Sequence, residues 1–93
     1  MLFMVQMTVN PPMHLTKEEF ESVKVAEKNR ALDIQRQGKW PHLWRVTGKY
    51  SNVSIFDVDS NHELHELLTS LPLFPYMDID ITPLNNHPSA LSE

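Results

Sequence analysis

Residues 15–38, LTKEEFESVKVAEKNRALDIQRQG, predict the longest helix of the chain, and the fold follows from what flanks it. Thr16 stands three residues before Glu19, which is the spacing of a capping box at a helix N-terminus. Gly38 follows the apolar periodicity and suits the left-handed conformation that ends many helices. We therefore expect a helix over residues 17–37.

Strand-like segments lie on both sides of this helix. The segments with alternating apolar residues are 2–9, 43–47, 52–58 and 76–82. A turn around Gly48 joins the second and third of them, and two consecutive prolines end the first. In the last segment, Met77, Ile79 and Ile81 are expected on the buried side.

A second, shorter helix is predicted between the third and fourth strands. Ser60 and Glu63 have the spacing of another capping box. The leucines that follow at helical intervals are Leu64, Leu67, Leu68 and Leu71. The order β-α-β-β-α-β predicts an α+β protein with the ferredoxin-like fold, a four-stranded antiparallel sheet with both helices on one face.

The composition is that of one ordinary globular domain spanning residues 1–93. Eight basic residues against 12 acidic residues give a net charge of −4, which argues against nucleic acid as a partner. The absence of cysteine excludes disulfides and thiolate chemistry. The sequence shows neither a membrane-spanning run nor a signal peptide pattern, so we expect a cytoplasmic protein that does not bind membranes.

A carboxylate within the apolar stripe of the first helix is the strongest chemical signal. The stripe consists of Phe20, Val23, Ala31 and Ile34. Glu27 lies at its centre, and Lys24 lies one turn before it. A carboxylate that faces a core must be paired, hydrogen-bonded or protonated. The structural interpretation is a Lys24–Glu27 ion pair or a lysine that extends to solvent, and the functional one is a general base with a nearby cation. The pattern allows both interpretations.

Other polar residues give weaker signals. Arg45 lies within a predicted strand, where an inward-pointing arginine pairs with a carboxylate of the protein or of a substrate. We expect the protein pair, with Asp57 on the neighbouring strand as the partner. His62, His65 and Glu66 have spacings compatible with metal ligands, but they flank the leucine stripe on its solvated side. We therefore expect no metal site.

Several segments resemble the muconolactone Δ-isomerase family. They are MLFMVQMTVNPP at 1–12, QRQGKWPHLWR at 35–45, GKYSNVSIFDV at 48–58, LPLFPYMDIDITPL at 71–84 and HPS at 87–89. The resemblance covers nearly the whole chain and implies a ferredoxin-like protomer, catalysis without a cofactor and a large ring-like homo-oligomer, a decamer in well-known members. It also implies a role in bacterial aromatic catabolism, in the catechol branch of the β-ketoadipate pathway.

The same resemblance implies roles for particular residues. Glu27 matches the family's candidate catalytic carboxylate, and Lys24 matches its helix lysine. The reaction implied is a one-base shift of the ring double bond of muconolactone to give 3-oxoadipate enol-lactone. The residues expected to bind this lactone substrate are Arg45, Ser54, Tyr76 and His87. The family's pocket is shared between subunits, and we expect the C-terminal tail, residues 83–93, to pack on a neighbouring subunit.

Two alternatives to an isomerase stay open. The family's isomerases carry histidine where this chain has Met4 and tyrosine where it has Val53. Chloromuconolactone dehalogenases, a sister branch with the same fold, are similar to this chain in placing apolar residues there. A dehalogenase would eliminate HCl on the same scaffold. Ferredoxin-like chains also form α+β barrels that bind small molecules without catalysis, and such a binding module is the second alternative.

Overall fold

The computed structural model of the protein describes residues 1–91 and contains the expected elements in the expected order. They are β1 (Leu2–Val9), α1 (Lys17–Arg36), β2 (His42–Arg45), β3 (Ser51–Asp57), α2 (Asn61–Thr69) and β4 (Met77–Leu84), with a 3₁₀ turn at Phe74–Tyr76. The strands form one sheet in the order β2-β3-β1-β4, and every neighbouring pair is antiparallel. The ferredoxin-like α+β fold is confirmed. Within the described chain, neither helix has the length and apolar character needed to cross a membrane.

The caps of α1 form as the sequence predicts. The Glu19 backbone N–H donates to Thr16 Oγ1 at 3.1 Å, and the Thr16 N–H donates to Glu19 Oε1 at 2.8 Å, which completes the capping box. At the other end Gln37 is the C-cap, and Gly38 adopts a φ of 78°. A residue with a side chain would be strained in that conformation, so glycine lets the chain leave the helix here.

The cap of α2 differs from the expected capping box in one contact. The Glu63 N–H donates to Ser60 Oγ at 3.0 Å, as expected. The Glu63 carboxylate accepts from the backbone N–H of Asp59 at 2.9 Å rather than from that of Ser60. It also lies 2.6 Å from Lys39 Nζ. Glu63 therefore ties the start of α2 to the loop that follows α1.

Both helices pack on one face of the sheet, and the core lies between the two layers. The alternation along β1 buries Phe3, Val5 and Met7. The helices and β3 add Ala31, Ile34, Leu64, Leu67, Leu68 and Phe56 to the same cluster. Ile81, expected on the buried side, is instead 49% exposed. It lies on β4, an edge strand of the sheet that the helices cover only in part.

Two strands differ in length from the prediction. β2 is shorter and covers only His42–Arg45, because the chain turns towards β3 directly afterwards. β4 continues to Leu84, so Pro83 belongs to an edge strand, where the missing N–H of proline is tolerated. Residues 85–91 are exposed and form neither helix nor strand. The last part of the predicted tail, residues 92–93, lies outside the described residues.

The opposite face of the sheet carries apolar side chains that no helix of the described chain covers. The pairing places Met4 beside Ile55 and Trp44 beside Val53 on this face. Trp44 is 55% exposed. Met4 and Val53, the positions that depart from the isomerase pattern, are therefore on the side of the sheet away from α1 and α2.

Candidate active site

A cavity of about 330 Å³ opens between α1 and the strands β2 and β3. Its charged and polar lining consists of Lys24, Glu27, Lys28, Arg45, Tyr50, Ser51 and Asn52. Its apolar and aromatic lining consists of Val9, Ala31, Trp40, Leu43, Leu73 and Met77. A concave site with an apolar wall and a few polar groups is typical of small-molecule binding. Of the residues predicted for the site, the structure brings Glu27, Lys24 and Arg45 together here.

Glu27 reaches the cavity from the middle of α1 and is half-buried in its wall. Its Oε1 accepts a hydrogen bond of 2.8 Å from the backbone N–H of Leu73. Burial raises the pKa of Glu27 above its ordinary value, and the Leu73 N–H offsets part of this rise because it favours the charged form. The carboxylate is thus held in one orientation and is a stronger base than an exposed glutamate.

The segment between α2 and β4 explains why a backbone donor faces Glu27. Leu71 and Leu73 are buried and anchor this segment to the core. A turn hydrogen bond of 2.9 Å joins the Phe74 N–H to the Leu71 carbonyl oxygen. The Leu73 N–H takes no part in that turn, and the fold points it at the carboxylate on α1. The proline-containing stretch LPLFP therefore has a direct contact with the candidate base.

Lys24 lines the same cavity but is not the ion-pair partner of Glu27. Its Nζ lies 2.6 Å from Glu21 Oε1, one turn earlier on α1, and 5.3 Å from the centre of the Phe20 ring. The hydrogen bond to Glu21 raises the pKa of Lys24, so the side chain is a cation at neutral pH. The interpretation of Lys24 and Glu27 as a structural pair is therefore wrong, since the Glu27 carboxylate is bonded by the backbone instead.

The predicted ion pair between Arg45 on β2 and Asp57 does not form. The register pairs Arg45 with Asn52, and the Asp57 carboxylate lies 3.5 Å from the N-terminal amine of Met1. The Arg45 guanidinium stacks over Tyr50, 5.4 Å from the ring centre. It forms no ion pair with any carboxylate of residues 1–91. Its charge is therefore available to an anionic ligand in the cavity.

The other predicted binding residues lie outside the lining of this cavity. Ser54 is fully buried and donates a hydrogen bond of 2.8 Å to Asn52 Oδ1, so it cannot touch a ligand itself. Tyr76 lies beside His14, with 6.1 Å between the ring centres. His87 lies in the exposed tail. Contact of Tyr76 and His87 with substrate stays a prediction.

The histidines of α2 are surface residues. His62 Nε2 lies 2.5 Å from Glu66 Oε1, and both side chains are well exposed. Over residues 1–91, no three side chains of the metal-binding types come together in a way that could hold an ion. The contact between His62 and Glu66 is thus an ordinary pair on a helix surface.

Of the residues that line the cavity, the sequence-based prediction of the site includes only Lys24, Glu27 and Arg45, and Trp40, Tyr50 and Asn52 are among those that it omits. Trp40 stacks on Phe56 with 4.7 Å between the ring centres, and its buried indole N–H has no acceptor in the described chain. Of these three residues, only Asn52 has a feature in the sequence that could have indicated a place in the site. It shares the inward face of β3 with Ser54 and Phe56, and polar residues at inward positions of a strand call for an explanation.

The charges around the cavity favour an anionic ligand. Lys24, Lys28 and Arg45 place three cations against the single carboxylate of Glu27, although the whole chain has a net charge of −4. Lys24 is partly neutralised by its bond to Glu21. The arrangement therefore suits a small anion that also has a proton for Glu27 to remove.

The chain is similar to proteins of one family along almost its full length. A sequence model of this family, described as Muconolactone delta-isomerase, matches residues 1–90. Muconolactone Delta-isomerase of Acinetobacter baylyi is 50% identical over 93 residues, which are 100% of this chain and 97% of that protein. The enzyme of the same name from Pseudomonas aeruginosa is 50% identical over 91 residues, covering 98% and 95% of the two chains. A crystal structure of muconolactone isomerase matches with a TM-score of 0.93 and 47% identity, covering 100% of this chain and 97% of that one.

Proposed function

This chain belongs to the muconolactone delta-isomerase family, and we propose that it shifts the ring double bond of muconolactone to give 3-oxoadipate enol-lactone, with Glu27 as the single base. The observation that carries this proposal is the Glu27 carboxylate, half-buried in a cavity with cationic side chains and oriented by the Leu73 N–H. The protein is thus an isomerase that works on a small anionic lactone.

The reaction needs one proton to leave one carbon and return to another. In muconolactone, the ring C–H beside the lactone oxygen is acidic because its loss gives a dienolate with furan-like aromatic character. Glu27 takes this proton and becomes a neutral carboxylic acid. It then returns the proton to the carbon next to the lactone carbonyl, on the same ring face, and the double bond moves. The step is redox-neutral and regenerates the carboxylate.

The environment of Glu27 suits both halves of this transfer. A carboxylate with a raised pKa binds the proton more firmly and still releases it to a dienolate. The Leu73 N–H holds Oε1, and no other group of the described chain donates to this carboxylate. The second oxygen, Oε2, is therefore the atom we assign to proton transfer.

The nearby cations have separate tasks in this proposal. Lys24 lines the cavity close to the base and would stabilise the negative charge that develops on the dienolate. Arg45 has no carboxylate partner among residues 1–91 and would bind the acetate group of the substrate. Proton transfer and substrate binding are thus assigned to different elements, α1 and β2.

We further propose a large homo-oligomer of about ten chains, acting in the cytoplasm in bacterial catechol catabolism. Two exposed apolar regions support the assembly. Trp44, on the uncovered sheet face, is 55% exposed, and Val25 on α1 is 59% exposed. A domain of this size buries only about 60–65% of its unfolded surface, so covering these regions would add needed stability. In such an assembly the tail and its His87 would reach a neighbouring cavity.

The test is direct incubation of the purified protein with muconolactone. Loss of substrate and formation of the enol-lactone are followed by absorbance and by chromatography, with Glu27→Gln as the matched inactive control. Conversion by the wild type but not by the variant supports the proposal. Binding of muconolactone without any conversion would instead assign the chain to the non-catalytic binding modules.

A parallel incubation with a chloromuconolactone addresses the dehalogenase alternative. The same proton abstraction can expel chloride when chlorine is bonded to the adjacent carbon. Chloride release measured beside double-bond migration gives the ratio of the two activities. Faster chloride release than isomerisation of muconolactone would make dehalogenation the main reaction. Met4 and Val53 are not in the lining of the Glu27 cavity of their own chain, so they bear on this choice only through a neighbouring subunit.

A further inference from the structure

A buried hydroxyl lies directly behind the cavity wall formed by β3. Ser54 is the only polar residue among the fully buried residues of the described chain, and its hydroxyl is surrounded by the core. Its Oγ donates to Asn52 Oδ1 at 2.8 Å, two residues earlier on the same face of the strand. Burying a hydroxyl is costly without a hydrogen bond, so this contact explains how Ser54 is tolerated.

The contact also determines what Asn52 presents to the cavity. Because Oδ1 accepts from the Ser54 hydroxyl, the amide NH₂ group at the other end of the side chain faces away from Ser54. Asn52 is half-buried and lines the cavity, and in residues 1–91 nothing accepts a hydrogen bond from its Nδ2. The cavity therefore contains a neutral donor whose orientation is fixed from behind.

A second donor stands next to this amide. Arg45 is the cross-strand partner of Asn52 in the register between β2 and β3, and both side chains line the cavity. Directly opposite residues on one face of an antiparallel pair have their Cβ atoms about 5 Å apart. A planar guanidinium and a planar amide at this distance can donate to the same carboxylate, which accepts several hydrogen bonds at once.

We propose that Asn52 determines substrate specificity by donating to the carboxylate of the substrate beside Arg45, and that Ser54 is the positioning residue that orients the Asn52 amide. The inference rests on the proposed function, because it takes the acetate group of muconolactone as the ligand. Ser54, which was expected from the sequence to contact the substrate directly, acts instead by orienting the Asn52 amide. Asn52 in turn adds a recognition group that carries no charge.

The test compares muconolactone with its methyl ester, which keeps the ring but lacks the negative charge. Asn52→Ala should raise KM for muconolactone about ten- to a hundredfold and change kcat by less than about threefold, because a hydrogen bond to a charged group is lost. Asn52→Asp keeps the shape and can still accept from Ser54, but it should raise KM further by repelling the carboxylate. With the ester, both variants should match the wild type within about threefold.

Ser54→Ala tests the positioning role. The variant removes no group that can touch the substrate, so a merely structural role would leave KM unchanged for both compounds. We expect a rise in KM for muconolactone that is smaller than that of Asn52→Ala and absent with the ester. Asn61→Ala, at an exposed asparagine at the start of α2, is the matched control and should keep wild-type KM values.

Three outcomes separate this inference from the proposed function. If the wild type converts muconolactone and Asn52→Ala has the same KM as the wild type, the inference is overturned and the function stands. The same conclusion follows if Asn52→Ala raises KM equally for muconolactone and for its methyl ester. If the wild type binds without converting, the function fails, and calorimetry still tests the inference through a weaker Kd for Asn52→Ala. If the wild type neither converts nor binds muconolactone, both are overturned. Thermal unfolding and light scattering confirm that each variant is folded. If Asn52→Ala misfolds, the isosteric Asn52→Asp replaces it in the KM comparison.

Discussion

The backbone N–H of Leu73 donates a hydrogen bond of 2.8 Å to Oε1 of Glu27, across a separation of 46 positions in the chain. The bond and the burial of Glu27 act on its pKa in opposite directions, and burial is the larger effect. The base is thereby kept oriented without an ion-pair partner that would lower its basicity. Because the donor belongs to the backbone, replacing the Leu73 side chain does not remove it.

Glu27→Gln should lower kcat by at least about a hundredfold, because glutamine cannot accept a proton at neutral pH. Its side-chain oxygen can still accept from the Leu73 N–H, so the fold should be kept. The measurement is steady-state turnover of muconolactone, with particle size recorded beside it. Glu18→Gln, an exposed glutamate in the first turn of α1, is the matched control and should remain fully active. Wild-type turnover in Glu27→Gln would mean that the base is another residue.

The pH dependence of kcat/KM should report the raised pKa of Glu27. Only the ionised carboxylate can take the proton, so activity should fall as the pH decreases through the pKa of the folded protein. Since burial raises this pKa, the midpoint of the acid limb should lie above 4.5, the ordinary value for glutamate. Rates between pH 4 and pH 8 give the midpoint. A midpoint at or below 4.5 would contradict the role of burial.

The same pKa predicts an effect of Glu27→Gln on stability. A group whose pKa is raised on folding contributes stability below its unfolded pKa and loses that contribution as the pH rises through the folded value. Glutamine stays neutral throughout. The variant should therefore melt at the same or a higher temperature than the wild type at pH 7, and the difference should shrink towards pH 4. A lower melting temperature at pH 7 would show that the ionised carboxylate stabilises the fold.

Lys24→Met should lower kcat by about ten- to a hundredfold, less than the loss in Glu27→Gln, because Lys24 stabilises charge but moves no proton. Glu21→Gln removes the partner that holds the lysine Nζ at 2.6 Å and should have a smaller effect than Lys24→Met. Turnover of muconolactone by the two variants gives the comparison. Equal loss in Lys24→Met and Glu27→Gln would require Lys24 to take part in the proton transfer.

Light scattering should report a particle of about 100 kDa, near ten times the 10.8 kDa of one chain. Trp44→Asp would place a charge on the uncovered sheet face, which we propose as part of the interface, and should shift the distribution towards smaller particles. His62→Asp on the exposed face of α2 is the comparison and should leave the particle size unchanged. A wild-type particle of 11 kDa at micromolar concentration would overturn the proposed assembly.

The elements of the fold could be predicted because their signals are local. Thr16 and Glu19 are three residues apart and cap α1 by themselves. Gly38 marks the end of the helix through its own backbone conformation. Burial at the edge of the sheet is not local, and the exposure of Ile81 depends on how far the helices reach over β4.

The partners of the charged residues could not be predicted from spacing. Glu21 and Glu27 both lie three positions from Lys24, so helical periodicity cannot choose between them. The pair forms with Glu21, which is exposed, because bringing the ammonium group to the half-buried Glu27 would cost more desolvation. The partner of Arg45 depends on strand register, which pairs it with Asn52 and not with a residue near Asp57.

The strand β2 is a short, exposed edge strand in the wall of the cavity around Glu27. It has four residues, all exposed, and within residues 1–91 it pairs with β3 alone, although it supplies Leu43 and Arg45 to the cavity. Short edge strands with little burial open at a lower free energy than the core. The amide protons of His42–Arg45 should therefore exchange with deuterium early in the isolated chain. A ligand bound by Arg45 would slow that exchange, so occupancy of the site can be read from this one strand.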